Sequence, residues 1–239
     1  MTKVALITGS AVRVGREIAI HLAQKGWNLA LHYRTSSTAM ADLEAELKSR
    51  YPDLRFSTFQ ADFSLSEQTG ALMKRVLETF GHLDLLVNNA SVFEPSTFRE
   101  TSVEMLNSNH LINYVAPFIL MHDFVNASSG GQIINMVDTM ITNNKSNYLA
   151  YTLSKKSLWE MTKMAALELA PNFRINAIAP GALIAPVGKD QQYLERVASK
   201  TPMKIPSGLI PVLKSIDFIL DNDDLTGQLI FCDGGSQLM

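Results

Sequence analysis

Thr8-Gly9-Ser10-Ala11-Val12-Arg13-Val14-Gly15 lies between the apolar run Val4-Ala5-Leu6-Ile7 and the helically spaced residues Ile18, Ala19, Leu22 and Ala23, and its reading decides the fold. Val4 to Thr8 reads as a strand, and Gly15 to Lys25 as a helix that stops at Gly26, a good C-terminal cap. At such a junction glycines let backbone amides approach a pyrophosphate, while the following helix turns its positive end toward the phosphate charge. Taken alone the segment is equally an ordinary strand-to-helix turn. Its place at the first junction of an alternating chain favours dinucleotide binding.

The alternation continues outward from that turn. Asn28 to Tyr33 reads as a strand and Thr38 to Arg50 as a helix closed by Tyr51-Pro52, since a proline biases the preceding residue away from helix. Leu54 to Gln60 reads as the third strand, and Ser66 as the cap of a helix ending at Gly81. Leu83 to Val87 follows as the fourth strand, then one long apolar helix from Ser102 to Val125. Gln132 to Val137 is the fifth strand, Leu149 to Leu169 a helix, Arg174 to Ala179 the sixth strand and Gln228 to Cys232 the seventh. Short Val/Ile/Leu runs alternating with amphipathic segments imply an α/β doubly wound parallel sheet of about seven strands, a single-domain Rossmann fold over residues 1–239. Ala182 to Pro211, with Pro186, Gly188, Pro202, Pro206 and Gly208, is the irregular span and the expected substrate loop.

Composition agrees with a compact chain: of 239 residues 46% are hydrophobic and 18% charged, enough to bury a substantial core. With 21 basic against 23 acidic residues the net charge is -2, which gives no electrostatic footprint for nucleic acid or an anionic membrane. Val4 to Ile7 is far too short for a secretory signal. The apolar region Leu111 to Met121 is interrupted by Asn113 and Pro117 before it reaches membrane-spanning length. A cytoplasmic protein is expected. The lone Cys232 excludes an internal disulfide framework and a cysteine-rich zinc site, and no metal is expected.

Two further signals carry chemistry. The second strand ends in His32-Tyr33-Arg34-Thr35-Ser36, with no acid to accept ribose hydroxyls, and Arg34 with nearby hydroxyls fits a 2′-phosphate. With Arg13 in the glycine turn this points to NADPH over NADH, against the plainer reading of two solvated arginines. Tyr151 and Lys155 stand one helical turn apart, on one face. An ammonium there can stabilise a phenolate and lower the tyrosine pKa. By itself the spacing also suits a half-buried Tyr beside a surface Lys.

Together Thr8-Gly9 with Gly15, Asp62, Asn88-Asn89-Ala90, Asn113, Tyr151, Lys155 and Pro180-Gly181 stand in the order found in short-chain dehydrogenases/reductases, which the chain resembles over essentially its whole length. Three departures are informative: Arg13 replaces the usual middle glycine, Ser91 the glycine after Asn-Asn-Ala, and Asp138 the serine after the fifth strand. All three resemble pteridine reductases, and the segment from Val137 to Ser154 also resembles bacterial dihydromonapterin reductases. Leu183 stands where parasite pteridine reductases carry serine.

The resemblance implies an NADPH-dependent reductase of a pterin-like substrate, such as dihydromonapterin, dihydrobiopterin or dihydrofolate, assembled as a homotetramer. It assigns catalysis to Asp138, Tyr151, Lys155 and Asn113, with Asn113 supporting Lys155 through water. It assigns cofactor contacts to Gly9, Arg13, Val14, Gly15, Tyr33, Arg34, Thr35, Ser36, Asp62, Phe63, Asn89, Ala90, Ser91, Tyr151, Lys155, Pro180 and Gly181. Substrate would meet Arg13, Ser91, Phe93, Asp138 and Tyr151, with Phe93 stacking on the pterin. Reducing a pterin needs a proton at a ring nitrogen as well as a hydride, which gives Asp138 a purpose beside Tyr151. The bland readings are a turn-capping Asp138 and a core-covering Phe93. Other readings are a carbonyl or 3-oxoacyl reductase, an enoyl-thioester reductase using Tyr148 and Lys155, and a non-catalytic NADPH-binding sensor.

Overall fold

A computed structural model describes residues 2–145, 147–184, 191–206 and 208–239. Seven strands form one sheet: β1 (Val4–Ile7), β2 (Asn28–Tyr33), β3 (Phe56–Gln60), β4 (Leu85–Asn88), β5 (Gly131–Met136), β6 (Phe173–Pro180) and β7 (Leu229–Cys232). Their order is β3-β2-β1-β4-β5-β6-β7, and every neighbouring pair is parallel. This is the doubly wound arrangement expected from the alternation. Strand order reverses between β1 and β4, where an open α/β sheet leaves a crevice beyond its strand ends.

Helices α1 (Arg13–Gln24), α2 (Ser37–Arg50), α3 (Ser66–Phe80), α4 (Val103–His110), α5 (Ala116–Ala127), α6 (Leu149–Leu169), α7 (Gln191–Ala198) and α8 (Leu209–Asp221) complete the chain. The period-two geometry of β1 divides the core. Ala5 and Ile7 pack with Ile18 and Leu22 of α1, Leu43 of α2 and Ile216 of α8, whereas Val4 and Leu6 pack with Leu72 and Val76 of α3 and Leu120 and Phe124 of α5. Strands buried on both faces read as unbroken apolar runs, which is why β1 was legible. None of the described helices is long and apolar enough to cross a membrane.

Three expectations need correction. Ser66 is the first residue of α3 and not its cap; Leu65 occupies that position and no side chain caps the helix. The single helix expected from Ser102 to Val125 is three pieces: α4, a π turn over Leu111–Val115, and α5. Pro117 has no N–H to give the carbonyl of Asn113, and its ring crowds that turn, so the ladder shifts to a π-type bond from Ala116 N–H to Leu111 O. The irregular span contains α7 and the start of α8. Pro211 sits in the first turn of α8, where the missing N–H costs nothing, so it does not end a helix there. Pro186 and Gly188 lie outside the described residues.

His32 ties the first three strands together. In β2 its Nδ1 accepts the N–H of Gly9 at 3.0 Å, and its Nε2 lies 3.1 Å from Ala61 O just past β3. The first bond requires an unprotonated Nδ1, so Nε2 carries the hydrogen and donates. The ring also stacks on Phe63, with centroids 4.2 Å apart. Burial lowers its pKa from 6.5 to about 4. The unfolded chain therefore takes up this proton at higher pH than the folded one. The stabilisation is full above pH 6.5 and is lost as pH falls toward 4, an effect of roughly 3 kcal/mol. Urea unfolding across that window should show the loss in the wild type and a flatter profile in His32→Gln; identical profiles would exclude His32 as the source.

Candidate active site

The nucleotide turn is built by close backbone approach. Gly9 adopts φ +65°, and a Cβ on Gly15 would lie 2.2 Å from Gly9 O and 2.7 Å from Asn89 Nδ2, so no side chain fits there. Asn89 Nδ2 donates to Thr8 O at 2.9 Å and to Gly9 O at 3.2 Å. Thr8 Oγ1 accepts the N–H groups of Asn89 and Ala90, each at 2.9 Å. The ends of β1 and β4 are thus fastened side by side. Arg13 takes φ +56°, the left-handed backbone in place of the family's glycine, and its Nη2 donates to Ile184 O at 3.4 Å.

Phosphate-compatible features follow from the helix ends. Neither α1 nor α2 carries an acidic residue in its first turn, so the positive N-terminal ends are not neutralised. Arg34 and Thr35 are exposed beside Ser36, which precedes α2. Gln60 Nε2 holds Arg34 O at 3.0 Å. Asp62 accepts both the N–H and the hydroxyl of Ser64, and these bonds hold its carboxyl below the usual range.

The reactive centre forms between β5 and α6. Tyr151 Oη donates to Asp138 Oδ2 at 2.9 Å, and Met140 N–H donates to Asp138 Oδ1 at 2.8 Å. Lys155 Nζ donates to Met136 O at 2.8 Å, with its ammonium 5.8 Å from the centroid of the Tyr151 ring. Asp138 borders the open cleft, yet the protein packed around it pushes its carboxyl up. Burial and then the Asp138 charge and hydrogen bond raise the Tyr151 phenol well above its ordinary value. The expected lowering of that phenol by Lys155 is therefore reversed, because the hydroxyl faces a carboxylate and not an ammonium. Burial brings Lys155 itself down to about 8.

Every expected site residue except Asn113 lines one cleft of about 940 Å³. Asn113, in the π turn, gives its side chain to the loop beneath that cleft. Its Oδ1 accepts from Val92 N–H at 2.9 Å and Ser91 Oγ at 3.1 Å, and its Nδ2 donates to Val92 O and Ser154 Oγ, each at 3.0 Å. Phe93, next in that loop, is 48% exposed. It stacks on Tyr148 with centroids 4.3 Å apart and meets Tyr151 edge-on at 4.6 Å. Parallel bridging of Ser96 to Tyr148 fixes this loop against the start of α6.

The cleft also includes His32, Met140, Asp233 and Ser236, which sequence reasoning did not place there, together with Tyr148, weighed only for the enoyl-thioester reading, and Tyr193 and Val197 of the expected substrate loop. An imidazole inside the apolar strand Asn28–Tyr33 and an aspartate before Gly234-Gly235 were the signals that could have found two of them. That Tyr193 and Val197 stand on a helix, α7, was missed.

Comparison with known proteins agrees with this geometry. Residues 3–193 match the family described as short chain dehydrogenase. Pteridine reductase 1 of Leishmania tarentolae is 30% identical over 98% of this chain and 96% of its own length. Dihydromonapterin reductase of Enterobacter sp. (strain 638) is 28% identical over 98% and 96% of the two chains. FolM alternative dihydrofolate reductase 1 from Brucella canis, solved complexed with NADP, superposes with a TM-score of 0.93 at 29% identity, covering 99% of this chain and 94% of that one.

The left-handed backbone at Arg13 has a measurable cost. A non-glycine residue pays about 1–2 kcal/mol there, partly offset in a glycine variant by greater unfolded-state freedom. Arg13→Gly is expected to stabilise the protein by roughly 0.5–1 kcal/mol in urea unfolding. A clear loss of stability would mean that the guanidinium contacts outweigh the strain.

Proposed function

The chain belongs to the short-chain dehydrogenase family, and from that membership we propose that it is an NADPH-dependent reductase of dihydropteridines. The observation that carries this reading is the 2.9 Å bond from Tyr151 Oη to Asp138 Oδ2 on the wall of the cleft. Both carbonyl and imine reduction consume a proton, and where the resemblance would put a serine hydroxyl this chain has a carboxyl with a raised pKa, which can pass a proton through Tyr151 to a pterin nitrogen. The pteridine and dihydromonapterin reductases among its relatives support the same substrate class.

The residues fit the cofactor. Gly9 and Gly15 let the turn fold closely on itself at the cleft, two helix N-termini without acids face the cleft region, and Arg34, Thr35 and Ser36 suit a 2′-phosphate. The Brucella relative's complex with NADP supports that choice. Tyr33, Asp62, Phe63, Ala90, Ser91, Pro180 and Gly181 line the remainder of the cleft beside Val14 and Asn89.

NADPH, when bound, supplies hydride to the imine carbon of the dihydropterin. The protein's part is to hold the flat ring and deliver a proton to the adjacent nitrogen. Phe93 offers an exposed aromatic face for stacking. Tyr151 gives its phenolic proton to that nitrogen, and a protonated Asp138 passes its own to the phenol oxygen, ending as a carboxylate that is reprotonated from the cleft. Lys155, a cation below about pH 8, offsets the negative charge left on the pair and offers donors to ribose hydroxyls. Arg13 and Ser91 lie where pterin polar groups and cofactor phosphate would meet the chain.

The span 182–211 serves as the substrate cover, since Leu183, Ile184, Tyr193, Val197 and Ile205 line the cleft. A homotetramer is supported by the exposed apolar residues Val103, Leu106 and Phe118 on α4 and α5, together with Leu238 and Met239. The enoyl-thioester alternative is weakened because Tyr151, and not Tyr148, meets Asp138.

NADPH oxidation by the purified protein should proceed with dihydromonapterin, dihydrobiopterin or dihydrofolate; turnover confined to crotonyl or acetoacetyl thioesters would overturn the reading. Tyr151→Phe and Asp138→Ala should each lower kcat by about 10²–10⁴ while NADPH is still bound. Near-normal turnover in either would refute the proton relay. Arg34→Ala should weaken NADPH about tenfold or more with little effect on NADH, as measured by fluorescence titration. Equal losses for the two nucleotides would remove the phosphate role.

A further inference from the structure

Asp233, just beyond β7, is a buried acid with no part in the mechanism above. It is 4% exposed and lies on the cleft. Its Oδ2 accepts the Thr139 hydroxyl at 2.5 Å and Gln237 N–H at 2.8 Å, and its Oδ1 accepts Gly235 N–H at 2.9 Å. Thr139 directly follows Asp138 and opens the short 3-10 turn whose N-terminal position Asp138 occupies. The turn is held on its other side by the bond from Tyr151 Oη of α6 to Asp138 Oδ2, and internally by Met140 N–H to Asp138 Oδ1, so the Thr139–Asp233 bond ties it to the segment after β7.

The surroundings of Asp233 are equally constrained. A Cβ on Gly181 would come within 2.9 Å of Asp233 Cα, so the Pro180-Gly181 corner packs against the aspartate backbone. The adjoining Gly234 O accepts Met203 N–H at 3.1 Å, which ties the same turn to the segment after α7. The carboxylate cannot swing away without disturbing its own backbone donors.

We propose that Asp233 is a positioning residue for the proton relay: through the Thr139 hydroxyl it fixes the turn carrying Asp138, and it keeps a second acidic group directed at that residue. The role rests on the dihydropteridine reading, because only a relay through Asp138 needs that carboxyl both fixed and protonated. The groups acting on Asp138 are Tyr151 and Lys155 from α6, Met140 N–H from its own turn, and Asp233 from beyond β7. The first three favour the charged carboxylate, whereas Asp233 and burial oppose it. Removing the Asp233 charge therefore lowers the pH at which Asp138 gives up its proton. The rate, which requires that proton, then declines at lower pH.

Asp233→Asn removes the charge and retains an oxygen for the Thr139 hydroxyl. Carbon-13 carboxyl NMR on the substrate-free protein, with Asp138 assigned through Asp138→Asn, should place the Asp138 titration at lower pH in this variant than in the wild type. The falling limb of kcat against pH should move in the same direction. Thr139→Val keeps the charge but breaks the link, and should lower kcat about tenfold with NADPH affinity unchanged, while Thr139→Ser restores the rate. An unmoved Asp138 titration, or kcat within twofold of wild type in Thr139→Val, would overturn the proposal. If Asp233→Asn does not fold, the Thr139 pair decides. Should the wild type reduce no dihydropterin, the functional reading fails, and the NMR titration still decides whether Asp233 acts on Asp138.

Discussion

Parallel pairing is the constraint on which this molecule depends. A parallel pair cannot be closed by a tight turn, so each strand returns through a crossover and all strands leave the sheet at the same edge. At the β1/β4 reversal the crossovers diverge to opposite faces, opening the crevice. Residues that follow β1, β2, β4, β5 and β6 are thereby gathered from distant parts of the chain without any of them leaving its own loop. The close packing of Gly15 against Gly9 and the Thr8-Asn89 bonds fix that edge where the two halves meet.

The chemistry of the centre follows from placing three ionisable groups where water is scarce. Burial works against charge on Asp138 and Tyr151 and also against charge on Lys155, so it pushes the acids up and the base down. A phenol that donates to a carboxyl is held as an acid, unlike one stabilised as a phenolate by an adjacent ammonium. In the proposed reaction Tyr151 accordingly serves as a proton donor, with Asp138 as the group beside it that can restore the proton.

The parallel sheet of seven strands was legible because it rests on local patterns, apolar runs buried on both faces and glycine at a turn. The site residues were instead expected from the order of motifs that resemble a family, and all of them but Asn113 line one cleft. Errors arose where one residue overrides a pattern. Pro117 divides an apolar stretch whose periodicity reads as a single helix, and Pro211, set as the end of the irregular span, stands in the first turn of α8, where proline is tolerated. The roles of His32 and Asp233 were not legible, since each depends on partners contributed by other strands. The direct partners of Asn113 were not legible for a similar reason: they are set by the loop after β4 and by Ser154, and no spacing along α4 and α5 encodes them.

The bond between Thr139 and Asp233 spans 94 residues, whereas among the described residues Thr8 and Gly9 bond to none farther along than Ala90, and Arg13 of that turn reaches on to Ile184. Synthesis runs from the N-terminus, so the two parts of the site mature at different times. A nascent chain can set Gly9 against His32 and Asn89 well before residue 233 exists. The turn bearing Asp138 receives its bond from Asp233 only after β7 has docked beside β6. The first glycine turn and the turn carrying Asp138 are thus completed at different stages of synthesis, and a chain that stopped short of residue 233 would lack the bond that ties the second to the end of the sheet.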